Sequence, residues 1–126
     1  MADGTLEHVN LTVSDPDRTA ALMSALFGWR VRWRGPARNG GYTVHVGTED
    51  SYLAIYRYAE GQAPESLGEA EGRLNHIGVV VEDLDSAEVR VREAGYRPHS
   101  HGAYEPGRRF YFDDHDGIEF EVVSYA

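Results

Sequence analysis

Polar and apolar residues alternate near the start of this chain with the period of a half-buried strand. In His8-Val9-Asn10-Leu11-Thr12-Val13, the residues His8, Asn10 and Thr12 fall on one side and Val9, Leu11 and Val13 on the other. A second strand pattern, Ile77-Gly78-Val79-Val80-Val81, follows His76. Each runs into an Asp-x-Asp pair, Asp15-Pro16-Asp17 and Asp83-Leu84-Asp85, which offers helix N-caps. The period then lengthens. Leu22, Ala25, Leu26 and Trp29 recur at helical spacing, as do Ala87, Val91 and Ala94, so "RTAALMSALFG" and "SAEVRVREAG" are expected to be helices that stop at Gly28 and Gly95.

The two stretches are copies. His8 and His76 stand 68 positions apart, and the strand and Asp-x-Asp pair align between them without a gap. After each helix comes an extended segment, "WRVRWRG" and "YRPHSHG". The first copy continues with a turn at Asn39-Gly40-Gly41 and strands "YTVHVGT" and "SYLAIYRY". The second has "RRFYFDD", a turn at His115-Asp116-Gly117 and "IEFEVVSY". The expected fold class is therefore α+β, with two tandem βαβββ units at about 5–58 and 73–125 in a single domain spanning residues 1–126. A lone unit of this size buries little core, so the units complete each other, within one chain or between two.

Composition narrows the function. Of 126 residues, 21 are acidic and 12 basic, a formal net charge of −9, which argues against nucleic acid and anionic membrane as partners. Much of the acidity lies in "AEGQAPESLGEAEG", residues 59–72, which reads as a solvated linker. No apolar run approaches the roughly 20 residues of a membrane helix. The start "MADGTLEHV" lacks the basic and apolar parts of a secretory signal, so cytoplasmic residence is the expectation. Cysteine is absent, which excludes disulfides and thiolate ligands.

Two βαβββ units, a His opening the first strand of each, and "DDHDGIEFEVV" closing the second resemble the vicinal oxygen chelate superfamily of glyoxalases, extradiol dioxygenases, fosfomycin-resistance thiol transferases and bleomycin-binding proteins. The resemblance runs from Leu6 to Tyr125. The family's closing motif is Asp-Pro-Asp-Gly with Glu four residues after the glycine; here it is Asp114-His115-Asp116-Gly117 and Glu121. The resemblance implies half-barrel sheets around a cupped cavity with a metal at its floor.

Strand parity supports a shared face for the candidate ligands. Glu119, Glu121 and Val123 oppose Ile118, Phe120 and Val122, and the apolar set belongs under a helix. His8, His76 and Glu121 then form a 2-His-1-carboxylate set for Fe(II), Mn(II), Zn(II), Ni(II) or Co(II), with positions left open for a small-molecule substrate. The competing reading is three unrelated polar residues on a solvated face. In glyoxalases a fourth ligand, Glu or Gln, sits in a "YLEL"-like stretch; here Tyr52-Leu53-Ala54-Ile55 puts Ala54 there, which points to a three-ligand site.

The segment "HGAYEPGRRFYFDDHDG" is also similar to the end of catechol 2,3-dioxygenase, which implies catalytic roles for His101 as acid/base and for Tyr111, ten residues before Glu121. An exposed loop histidine and a core aromatic are the competing readings. Asn10, Tyr52, Tyr56 and Arg109 are candidate substrate-binding residues, with Arg109 facing an anionic substrate or Glu119. The expected function is a metal-dependent enzyme on a small oxygenated substrate, of dioxygenase, lyase, isomerase or thiol-transferase type. The rival is a metal-free sequestering protein of the bleomycin-resistance kind. Single-domain relatives usually pair, so a homodimer is expected.

Overall fold

The computed structural model of the protein describes residues 6–63, 74, 76–104 and 107–126. The chain divides into two compact units, Met1–Glu65 and Ser66–Ala126. Most of the acidic linker at 59–72 lies outside the described residues.

The first unit contains β1 (His8–Thr12), α1 (Pro16–Phe27), β2 (Arg30–Pro36), β3 (Tyr42–Gly47) and β4 (Tyr52–Arg57). Its sheet has the order β1-β4-β3-β2, with β1 and β4 parallel and the other pairs antiparallel. The second repeats it with β5 (Ile77–Val80), α2 (Leu84–Glu93), β6 (His99–Tyr104), β7 (Gly107–Asp113) and β8 (Glu119–Ser124), in the order β5-β8-β7-β6. Again the first and last strands, β5 and β8, are parallel. In each sheet the first strand lies at one edge, beside the last strand of the unit. This is the expected tandem βαβββ, α+β architecture.

Both helices begin two residues before the apolar periodicity suggests. The first aspartate of each pair is the cap: Asp15 Oδ1 accepts from the Arg18 amide at 3.2 Å, and Asp83 Oδ1 from the Ser86 amide at 3.0 Å. The second aspartate of each pair lies in the first helical turn, where its charge favours the helix dipole. Helix α1 ends on Gly28 in the left-handed region (φ 72°), as the sequence implies. Helix α2 ends one residue earlier than expected, on Ala94, with left-handed Gly95 following.

Each helix covers the apolar face of its own sheet. In the first unit Leu22, Met23 and Leu26 of α1 are buried with Leu11, Val44, Val46, Leu53 and Ile55. In the second, Leu84, Ala87 and Val91 of α2 are buried with Val79, Phe110, Phe112, Phe120 and Val122. Phe112 and Phe120 stack across the β7–β8 pair, 5.2 Å between centroids and 9° between planes. Each fully buried side chain of this size contributes on the order of 1.5–3 kcal/mol. The opposite, open face of each sheet carries the polar set.

Candidate functional site

On the open face of the second unit, β5, β8 and β7 bring four expected site residues together. His76 stands one residue before β5, and Gly78 pairs with Glu121 in the parallel ladder. Glu121 is also the direct cross-strand partner of Tyr111. His76 Nε2 lies 3.3 Å from Glu121 Oε1, while Arg109 Nη1 donates to Glu121 Oε2 at 2.7 Å. The two carboxylate oxygens are thus divided between a histidine and an arginine. Glu121 and Arg109 are nearly buried, at 13% and 12% side-chain exposure. Arg109 pairs with Glu121, which lies across the β7–β8 pair from it. The Tyr111 ring meets His76 edge-on, centroids 5.9 Å apart.

Glycine at position 78 keeps this face open. A β-carbon there would stand 3.8 Å from Glu121 Oε1, so any longer side chain would cover the carboxylate oxygen that faces His76.

His101 is not brought to this face. Its Nε2 is 3.0 Å from Glu88 Oε1 of α2, and its ring lies over Phe110, which belongs to the helix-covered side. The Glu88 carboxyl is held below its usual range by Arg92 first and His101 after it. A bulge is responsible. His99 pairs with Tyr111 but Gly102 pairs with Arg109, so β6 carries one residue more than β7 over that interval, and Ser100 takes a positive φ of 54°. Regular alternation would keep His99 and His101 on one face; the extra residue separates them. The arrangement places His99 beside Tyr111, their rings stacked at 6.3 Å.

The closing turn is built on Asp114. Its Oδ1 accepts from the amides of Asp116 and Ile118 at 2.9 and 3.0 Å, and Gly117 supplies the left-handed residue (φ 76°). Burial pushes the Asp114 carboxyl up, against the lowering effect of those two amides. His115, at 8% exposure in the place usually held by proline, meets the Tyr96 hydroxyl through Nδ1 at 3.0 Å.

The open face of the first unit is aromatic. His8 stacks on Tyr52 at 4.9 Å, Tyr52 on His45 at 4.8 Å, and His45 leans on Trp33 at 5.4 Å. The Arg32 guanidinium sits 4.3 Å over the Tyr52 ring. His8 Nδ1 is 2.8 Å from Glu7 Oε1, and that bond holds the Glu7 carboxyl below its usual range. Burial, followed by the neighbouring His8 and Arg32 charges, lowers the His45 imidazole. Glu7, His45 and Trp33 were missed by sequence reasoning, although a carboxylate directly before His8 was a readable signal. Ala54 pairs with Asn10 and is buried, so nothing at position 54 can ligate. Asn10 and Tyr56, with Thr12, Asn39 and Tyr58, line a cavity of about 410 Å³.

The profile of the Glyoxalase/Bleomycin resistance protein/Dioxygenase superfamily matches residues 5–122. The chain belongs to this superfamily. Solved structures similar to it include a glyoxylase/bleomycin resistance protein/dioxygenase domain from Frankia, 23% identical with a TM-score of 0.80, 98% of each chain being covered. The antibiotic-binding protein TnmS3 from Streptomyces is 20% identical with a TM-score of 0.77, over 100% of this chain and 99% of that one. The fosfomycin resistance protein FosX from Listeria monocytogenes, complexed with Mn(II) and sulfate, is 20% identical with a TM-score of 0.71, over 98% and 93%. At such identities the likeness is one of fold. No curated protein sequence matches the chain. One of these neighbours is thus an antibiotic-binding protein and another a resistance protein solved with Mn(II). Among the described residues, no helix is long and apolar enough to cross a membrane.

Proposed function

We propose that this chain is a divalent-metal protein acting on a small oxygenated organic substrate, with His8, His76 and Glu121 as ligands. The division of the Glu121 oxygens carries the reading. Two donors sharing one ion at about 2.1 Å stand roughly 3.0–3.4 Å apart, and His76 Nε2 and Glu121 Oε1 are 3.3 Å apart. Arg109 holds the other oxygen and so fixes the carboxylate for one-oxygen ligation. His8 holds the equivalent position in the first unit by the duplication, and with Nδ1 engaged by Glu7 its Nε2 is left as the ligating nitrogen. Fe(II), Mn(II), Zn(II), Ni(II) and Co(II) all suit this donor set.

A bound ion would supply Lewis-acid stabilisation of charge developing on substrate oxygens, and with three protein ligands it would keep positions open. The chain's own residues do the rest. Tyr111, beside Glu121, offers a hydroxyl to a substrate oxygen, and Arg109 holds the ligand carboxylate in orientation. His101, held by Glu88, takes no part in this reading. Ring-cleaving dioxygenation, lyase or isomerase chemistry and thiol transfer all remain compatible with a three-ligand site. A homodimer would cover the terminal strands of the sheets.

Metal analysis of protein purified without added ions, followed by a screen of catechols, methylglyoxal–thiol adducts and fosfomycin on Fe(II)- and Mn(II)-loaded protein, tests this. Protein that takes up no divalent ion would sink it. A second reading, metal-free sequestration of a planar molecule, is favoured by one observation. The row of rings from Trp33 through His45 and Tyr52 to His8 ends in a half-exposed tryptophan, at 50% exposure, which is a stacking platform.

A further inference from the structure

The start of β6 carries a second group of metal-ligating side chains on the second unit. We propose that His99, Asp113 and Glu119 form a site for one divalent cation, distinct from the ligand set above and completed by water. One ligand atom from each residue lies within 4.8 Å of the others. Proximity alone would prove little, because exposed acidic groups often crowd. Two further observations bear on it.

Asp113 and Glu119 are direct cross-strand partners in the β7–β8 ladder. Like charges in that relation repel, and a cation between them turns the repulsion into attraction. His99, in turn, is oriented as a ligand. Its Nδ1 is engaged by Ser100 Oγ at 2.9 Å, which leaves Nε2 pointing at the pair. Nε2 is shielded from solvent and 3.3 Å from Asp113 Oδ2, yet it has no hydrogen-bond alignment with any acceptor. The bulge at left-handed Ser100 produces both features, since it turns His99 toward Tyr111 and brings the serine hydroxyl to Nδ1.

One imidazole and two carboxylates without thiolate suit Mn(II), Co(II) or Zn(II). Ligands on one such ion stand about 3–4 Å apart, so the cluster must contract slightly. Asp113 is 53% exposed and able to swing inward. Tyr111 stands between the two sites, its ring 6.3 Å from His99 and 5.9 Å from His76, and the two sets of ligands share no residue.

The test is titration with Zn(II) alone, read by calorimetry and by the imidazole nitrogen resonances, on the full chain carrying His76→Ala. One zinc per chain is expected to remain, shifting the Nε2 resonance of His99. Adding Glu119→Gln or Asp113→Asn, both exposed enough to spare the fold, should weaken that zinc about tenfold or more, and Ser100→Gly, which keeps the left-handed backbone but removes the hydroxyl, should weaken it about tenfold. The proposal is overturned if the His76→Ala chain binds no zinc, or if its zinc ignores these substitutions. The two proposals fail separately: zinc lost with His76→Ala but indifferent to Glu119→Gln leaves only the His8/His76/Glu121 site, and the converse leaves only this one.

Discussion

Arg109 Nη1 and Glu121 Oε2 form a 2.7 Å ion pair that is almost fully withdrawn from water. Removing one partner of such a pair strands the other charge in a poorly solvated place. Arg109→Met is therefore expected to cost about 3 kcal/mol in denaturant unfolding. If His76 and Glu121 share an ion, saturating Mn(II) should recover part of that loss, because a ligand that binds only the folded state stabilises it. An unchanged unfolding midpoint with Mn(II) would count against the ion.

Gly78 gives a cleaner probe, because nothing structural demands glycine there beyond the open space over Glu121. Gly78→Leu should leave circular dichroism unchanged while lowering Mn(II) affinity by about tenfold or more, the scale of a disturbed metal environment. Equal Mn(II) binding by the two proteins would show that the ion does not use this face.

The two readings of the molecule separate at Trp33. Trp33→Ala removes the exposed end of the ring row, which base or drug stacking would use at about 1–3 kcal/mol per ring. Titration with a planar aromatic compound should show that loss if the platform binds ligands, and Mn(II) binding should stay intact. No difference in aromatic affinity would remove the sequestration reading.

Asp114 sets a pH dependence. Its folded carboxyl is raised, chiefly by burial, so the folded state holds the proton more tightly than the unfolded chain. Its contribution is fully present below the unfolded value near pH ~4 and is lost as pH rises through the folded value. Asp83 runs the other way: the Ser86 amide and hydroxyl lower it, so its contribution is present above the carboxylate range and is lost as pH falls. Asp114→Asn keeps an acceptor for the Asp116 and Ile118 amides and carries no charge. The asparagine protein should gain on the parent as pH climbs from ~4 toward ~7 in urea unfolding. A constant difference across that range would contradict the raised carboxyl.

The core makes the plainest expectation. Phe112→Ala deletes a fully buried ring stacked on Phe120 and should cost about 3–5 kcal/mol, measured by the urea midpoint.

Much of this was legible in the chain, and the reasons are physical. The duplication exposed both βαβββ units, because identical local patterns fold alike. Period-two alternation put Glu121, Tyr111 and Arg109 on one face of the second sheet, where they are found. The helix starts were read late because Pro16 and Leu84 belong to the capped turn, not to the apolar stripe. Parity gives a face and not a partner, so the contact of Arg109 with Glu121 was not readable in the chain. His101, whose competing reading was an exposed loop position, lies against Glu88 for a separate reason. Parity counting assumes an unbroken ladder, and the local hint of a bulge is Gly102, two residues after Ser100.

That bulge has a consequence for how such proteins diverge. Two histidines two residues apart normally arrive at a surface together, and here one added position sends them to opposite sides. With the same residues and no bulge, the ladder anchored at Gly102–Arg109 would put His101 opposite Phe110 and His99 opposite Phe112, both on the helix-covered side. Chain length at a single strand position, rather than residue identity, can therefore choose whether an imidazole meets a ligand. Relatives that differ there by one insertion would be expected to differ in chemistry while aligning closely in composition.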